Sequence, residues 1–404
     1  MKNGTRVREL GSIENLFAAY GEAGAMTFAV FAKVRGELTL ERLQEAVRQV
    51  RLRHPILSLC IGQEAGRRRI FELSTRGPDI EVHDEGNWTG LAEDMIAKSF
   101  DTTNGALFRV GALRQGNRFY LGAAFHHSIA DGMSATFVVR DIVHALAGRT
   151  LPVAGAANSL DAWLGEAEIA MKAKELGSVA GAETTGDNPW ATNPSANACV
   201  RTLALEPSLT ARIETTARDK GTTVHAALSV AIVRALLDEP HGRTGVRLMS
   251  PINMRNTFSS SEHCGMFISA GIIAHVREGL PFWEEAILAQ ANLLPHRTKE
   301  AALGFASLCR AKVPADATPD DAVNFMWHFC TYDAMLTNLG RLEIDGRCKD
   351  YAIEEIWGPV LRCCVEGEDV IGAATYDGHL RLVHTSLRTS SSLLEDVRTI
   401  LEGV

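Results

Sequence analysis

The chain has 404 residues, 46% of them hydrophobic and 22% charged, with a formal net charge of −8. That length exceeds one average domain, and the apolar content is enough for two cores, which excludes a disordered or low-complexity protein. The acidic balance argues against nucleic-acid binding, which calls for a basic face, and no uninterrupted apolar run reaches the length of a membrane span.

The opening "MKNGTRVREL" carries charge but leads into no apolar run of the signal-peptide kind. Eight cysteines are scattered without a C-x-x-C pair. Cys363 and Cys364 are adjacent and cannot form the two arms of a zinc knuckle. They are expected to be buried thiols in a reducing, cytoplasmic setting. The basic run Arg67-Arg68-Arg69 is expected at a solvated hairpin tip rather than at a phosphate site.

In chain order, "TFAVFAKVRGEL" alternates and is rich in β-branched and aromatic residues, as a strand does. In "TLERLQEAVRQVRLRHPIL", Leu43, Ala46, Val47 and Val50 fall at helical spacing, Thr39 can cap the start and Pro55 ends the helix. A strand, "ILSLCI", follows. "NRFYLGAAFHH" predicts a buried strand. Beyond Gly132, Met133, Phe137, Val138, Ile142 and Leu146 mark one face of a helix that Gly148 stops. "SLDAWLGEAEIAMKAKEL" predicts one short amphipathic helix, and "GSVAGAETTGDNPWATNPSANA" has the composition of a crossover.

The second half repeats this grammar. Helices over "SLTARIETTARDKG" and "TTVHAALSVAIVRALL" alternate with strands over "GVRLMSPINM", "GMFISAGIIAHV", "AMLTNLGRLEI", "VIGAATYDG" and "HLRLVHTSL". A last helix begins at Ser392-x-x-Glu395, which fits a capping box. The pattern predicts an α/β protein of two similar halves: 1–160, a crossover over 161–198, and 199–404.

No G-x-S-x-G elbow, P-loop, G-x-G-x-x-G after a strand or H-E-x-x-H is present. What stands out is "AAFHHSIADGMSATF", with His126, His127, Asp131 and Gly132 at the handover from a buried strand to a helix. Three readings are open. A metal site is disfavoured because neighbours on a strand point to opposite faces, so both imidazoles do not reach one ion. Satisfied core histidines beside a plain Asp-Gly turn are the second reading. The third is a histidine general base, since imidazole accepts a proton near neutral pH without a large shift. In that reading His127 acts directly on a substrate hydroxyl or amine, Asp131 organises the loop, and Gly132 permits close backbone approach.

"HHSIADG" resembles the HHxxxDG signature of the condensation-domain and CoA-dependent acyltransferase superfamily. That group includes chloramphenicol acetyltransferase, plant-type H-x-x-x-D acyltransferases, polyketide-associated acyltransferases and nonribosomal peptide condensation domains. The opening pattern through "RHPIL", and "PINMR" and "TNLGRL" in the second half, are similar to the superfamily's landmarks in the same order. The resemblance implies two chloramphenicol-acetyltransferase-like lobes meeting in a V around a tunnel, the first carrying the motif. It implies that His127 is the catalytic base and that Asp131 is structural, paired with an arginine of the second half, for which Arg255 of "PINMR" is the candidate. His126 and Gly132 are expected to shape the site, His126 on the substrate side, and Asn338 of "TNLG" is a candidate for lining the cleft or forming a turn.

The implied activity is transfer of an acyl group from a thioester to a hydroxyl or amine in secondary metabolism. The co-substrate is acyl-CoA or a phosphopantetheine thioester on a separate acyl or peptidyl carrier protein, the acceptor is a small molecule, and no permanent cofactor or metal is implied. A free-standing condensation enzyme of peptide or polyketide assembly, or a non-catalytic binding relative, are the alternatives.

Overall fold

The computed structural model describes residues 5–24, 26–64, 66, 68–155, 158–177, 197–239, 243–258, 262–277, 279–363, 365 and 367–404. Most of the predicted crossover, residues 178–196, lies outside the described residues, as do Arg67 and Cys364. The first half runs β1 (Arg6–Glu9), α1 (Ser12–Glu22), β2 (Thr27–Arg35), α2 (Leu40–Arg53), β3 (Leu59–Gln63), β4 (Arg69–Leu73), β5 (Ile80–His83), α3 (Trp88–Ala97), β6 (Phe108–Gln115), β7 (Arg118–His126), α4 (Gly132–Leu146), α5 (Leu160–Leu164) and α6 (Glu166–Gly177). The second continues with β8 (Cys199–Ala204), α7 (Pro207–Asp219), α8 (Val224–Asp238), β9 (Gly245–Asn253), α9 (Arg255–Phe258), β10 (Ile268–Val276), α10 (Phe282–Leu293), α11 (Lys299–Lys312) and α12 (Pro319–Phe329). It closes with β11 (Ala334–Arg341), β12 (Arg347–Cys348), β13 (Tyr351–Arg362), β14 (Asp369–Tyr376), β15 (His379–Ser386) and α13 (Leu393–Glu402).

Two six-stranded sheets carry the architecture, in the orders β12-β13-β2-β7-β6-β5 and β10-β9-β11-β14-β15-β8, with a small sheet β1-β4-β3 beside them. The long apolar run of β7 places it inside its sheet, flanked antiparallel by β2 and β6, as a strand covered on both faces requires. Helix α4 packs an almost wholly buried surface onto this sheet. The two sheets meet at β13 and β14, where Gly372 has no room for a side chain: a Cβ there would lie 2.0 Å from the Pro359 carbonyl oxygen.

The sheets do not divide where the halves of the sequence divide. Strands β12 and β13 belong to residues 199–404 yet extend the sheet of the first half, β13 pairing with β2 from Ala352↔Arg35 to Arg362↔Thr27. Three local expectations also give way. The helix over 159–176 is two helices, broken at Gly165 with φ of +112°, a backbone angle that ends a right-handed turn. Arg69 is buried rather than solvated, because Glu22 and the Ala317 carbonyl take up its guanidinium at 2.7 and 2.9 Å. Ser392 does not cap α13; its hydroxyl donates to the Asp396 carboxylate at 2.7 Å instead. Thr39, by contrast, caps α2 by accepting from the Arg42 N–H.

No single helix among the described residues is long and apolar enough to cross a membrane.

Candidate active site

Strand β7 delivers His126 and His127 to the end of its sheet, and the chain turns through Ser128–Ala130 into α4. Strand geometry sends the two imidazoles to opposite sides. The His127 N–H donates to the Met26 carbonyl at 3.0 Å, which carries the pairing with β2 one residue past the strand. Its ring lies against Phe17 and Phe28, centroids 4.8 and 4.5 Å away. Its Nδ1 is 3.0 Å from the Ala130 carbonyl oxygen. A carbonyl only accepts, so Nδ1 carries the proton and the lone pair sits on Nε2. Burial pushes this imidazole down to about 4, against the opposing pull of the Asp131 charge. The ring is therefore neutral at pH 7.

Asp131 is the N-cap of α4, its Oδ1 accepting from the Ser134 N–H at 2.8 Å. Its Oδ2 accepts from Arg255 Nη1 at 2.5 Å and from the Phe267 N–H at 3.0 Å. Both oxygens are thus committed to holding the loop and joining the two halves of the chain. Arg255 completes the knot by donating to the Ser134 hydroxyl at 2.7 Å and the His263 carbonyl at 3.1 Å. Its guanidinium also lies over the Phe267 ring, 4.8 Å from the centroid. The pair is almost fully buried, and stripping one partner from such a pair costs about 3–5 kcal/mol because the other is left charged and unpaired. Gly132 is needed for a further reason. A Cβ there would lie 2.7 Å from Leu339 Cδ2 and 2.9 Å from Pro359 Cγ, so only glycine lets the start of α4 sit this close to β11 and β13.

His127, Asp131 and Gly132 line a cavity of about 750 Å³, counting its open mouth, whose walls come from both halves of the chain. His126, expected there, is elsewhere, and of the two roles open to Asn338 the turn is the one it takes. His126 is not on the wall: it points to the other side of β7, where its Nδ1 meets the Ser128 hydroxyl at 2.8 Å. Its ring fills the space beside α1, so that a Cβ on Gly21 would lie 2.3 Å from its Nε2. Burial takes it down to about 3. Asn338 is also off the wall, for the same reason of strand alternation. On β11 the cavity receives Met335 and Thr337, so Asn338 faces away, and its Oδ1 accepts from the Gly340 N–H at 2.8 Å in a local turn.

Thr337 is the residue that the sequence reading passed over. Its hydroxyl has no hydrogen-bond partner among the described residues. The period of two through "AMLTNLG" was the available signal, since it separates Thr337 from its neighbour. Phe17 and Phe28, which hold the His127 ring, carried no motif at all. Among the described residues, no group of three or more His, Cys, Asp or Glu side chains is placed to hold a metal ion.

Residues 20–155 match the family model described as Condensation domain. One of the plipastatin synthase polypeptides of Bacillus subtilis (strain 168) is 25% identical over 259 residues, covering 59% of this chain and 10% of the relative. The chain thus spans about a tenth of the length of the curated relative it matches. Trichothecene 15-O-acetyltransferase from Fusarium sporotrichioides has a similar structure, with a TM-score of 0.72, 13% identity, and coverage of 98% of this chain and 94% of that one. So does polyketide synthase associated protein 5 from Mycobacterium tuberculosis, with a TM-score of 0.69, 15% identity, and coverage of 99% and 98%. At those identities the structural likeness speaks to the fold. The segment bearing "HHSIADG" matches the condensation-domain family, and the whole chain has the two-lobed, chloramphenicol-acetyltransferase-like fold of condensation domains and their acyltransferase relatives.

Proposed function

We propose that this protein is an acyltransferase that moves an acyl group from a thioester to a hydroxyl or amine, with His127 as general base. The observation that carries the reading is the fixed tautomer of His127: Nδ1–H donates to the Ala130 carbonyl, and the basic Nε2 belongs to a ring on the cavity wall. Nε2 takes the proton of the acceptor as its oxygen or nitrogen attacks the thioester carbonyl. The resulting oxyanion needs a donor, and the free hydroxyl of Thr337 on the same wall is the one we assign. Collapse of the tetrahedral intermediate breaks the C–S bond, and the thiolate leaves with the proton held on His127. Asp131 takes no part in proton transfer, because both its oxygens are occupied; with Arg255 and Gly132 it sets the position of the loop.

The thioester is carried by CoA or by the phosphopantetheine of a carrier protein, the two donors this chemistry allows, and secondary metabolism is the setting in which we place it. The match to a plipastatin synthase polypeptide favours a second form of the same reading, in which the acceptor is an amine and the product an amide. A panel of alcohols and amines offered with one thioester, read by intact mass, separates the two. The test of the base is His127→Ala. Loss of a general base costs about 10²–10⁴-fold in rate, so kcat should fall at least a hundredfold while the thermal midpoint stays within a few degrees. Near-parental turnover by the folded variant would refute the assignment.

A further inference from the structure

The lining of the His127 cavity says what kind of group it takes. Met26, Met249, Met326 and Met335 face it, together with Phe305 and Ile268. The charged side chain on its wall is Asp131, and that carboxylate is already neutralised by Arg255 and two backbone N–H groups. His127, held down by burial, is neutral at pH 7. The Cys330 thiol, also on the wall, is pushed by burial up to about 12 and stays protonated. An ammonium or carboxylate carried into this space would therefore be desolvated without a counter-charge, which is prohibitive beside the gain from burying a methylene chain. Four unbranched thioethers give the wall an adaptable shape, which suits a flexible chain better than one rigid ring system.

We infer that the group buried against this wall is an uncharged, apolar, flexible chain, held by contact with the four methionines, and that acyl groups and acceptors enter only in their uncharged forms. The inference rests on the acyl-transfer reading for the identity of the site, but the preference itself is a property of the cavity. The chain can belong to the acyl donor or to the acceptor, since either can be an aliphatic chain ending in the reacting group.

The test uses the full chain and small thioesters of N-acetylcysteamine, which stand for either CoA or a carrier. Binding of the octanoyl, acetyl and succinyl thioesters is measured by calorimetry on the His127→Ala variant, and of 1-decanol against 1,4-butanediol in a second arm. At least tenfold tighter binding of octanoyl than of acetyl, with succinyl weakest, assigns the chain to the donor. The same preference for decanol assigns it to the acceptor. Equal or tighter binding of succinyl and of the diol overturns the inference. Turnover by the parent protein is scored separately: absence of acyl transfer with any pair defeats the proposed function and leaves the binding preference standing on its own measurement. Met335→Gln provides a second variant, and the octanoyl-to-acetyl ratio within one preparation does not depend on the fraction folded. That ratio should fall severalfold, and an unchanged ratio in both arms counts against the methionine wall.

Discussion

Asp131 and Thr337 do different polar work on a cavity wall that also carries the Ser269 hydroxyl. Both Asp131 oxygens are taken up, by the Ser134 and Phe267 N–H groups and by Arg255, and Thr337 is the hydroxyl we assign to the developing negative charge. Thr337→Val keeps the shape and removes the donor. Single oxyanion donors are worth about 10²–10³ in kcat, so kcat should drop about a hundredfold with KM little changed. Pre-steady-state kinetics with a thioester that the parent turns over would check this, and a variant that keeps its kcat would refute Thr337 as the donor. The arrangement also separates the two adjacent histidines, since only His127 lines the cavity. His126 has its Nε2 buried with no hydrogen-bond partner and its ring wedged against α1, off the wall of that cavity.

At the level of elements, α1 and β7 are locked to one another through Gly21. Alanine is favoured over glycine inside a helix by about 1 kcal/mol, so propensity alone predicts that Gly21→Ala stabilises the protein. Packing reverses the sign: the new Cβ would meet His126 Nε2 at 2.3 Å, and overpacking of that kind costs about 1–3 kcal/mol. Urea denaturation should therefore show a lower midpoint for the variant, and a higher one would mean that the His126 ring is free to move aside. Elements with strong local signals were legible in the sequence: α2 with its Thr39 cap, the continuous apolar run of β7, and α4 between Asp131 and Gly148. The same is true of His127 and Arg255, which a motif and a landmark pointed to. Strand β13 was not, because its membership of a sheet is decided by pairing with β2, more than three hundred residues away, and no local pattern records a partner. Helices α10, α11 and α12 went unread for want of a motif, although Phe305 and Met326 from them close the cavity. The side of β7 that His126 takes, and the choice between cleft and turn for Asn338, were hidden for one shared reason: a motif gives the residues in order, and only the pleat assigns them to faces.

For the molecule as a whole, the buried imidazoles set a pH dependence. His126, His127 and His225 are held down to about 3, 4 and 4 by burial, against about 6.5 in the unfolded chain. Between those values the unfolded state binds more protons, so stability falls as the pH drops, by about 1.4 kcal/mol per unit for each such group. Glu368 acts in the opposite sense, since burial lifts its carboxyl to about 7 and the folded state is the one that gains its proton; Asp161, also raised by burial, works the same way. The three imidazoles outweigh the two carboxyls, and the urea midpoint should be lower at pH 5 than at pH 7. His225→Gln, which alters no residue on the wall of the His127 cavity, should flatten that slope, and a midpoint that rises on acidification would show that the carboxyls dominate. The pairing of β13 with β2 has a consequence on the ribosome. The edge of β2 waits unpaired while the 236 residues between the end of β7 and the end of β13 are made, which at about 5–20 residues per second takes roughly 12–50 s. Throughout that interval the nascent first lobe offers an apolar, open-edged strand to its neighbours, the kind of surface that chaperones cover during synthesis.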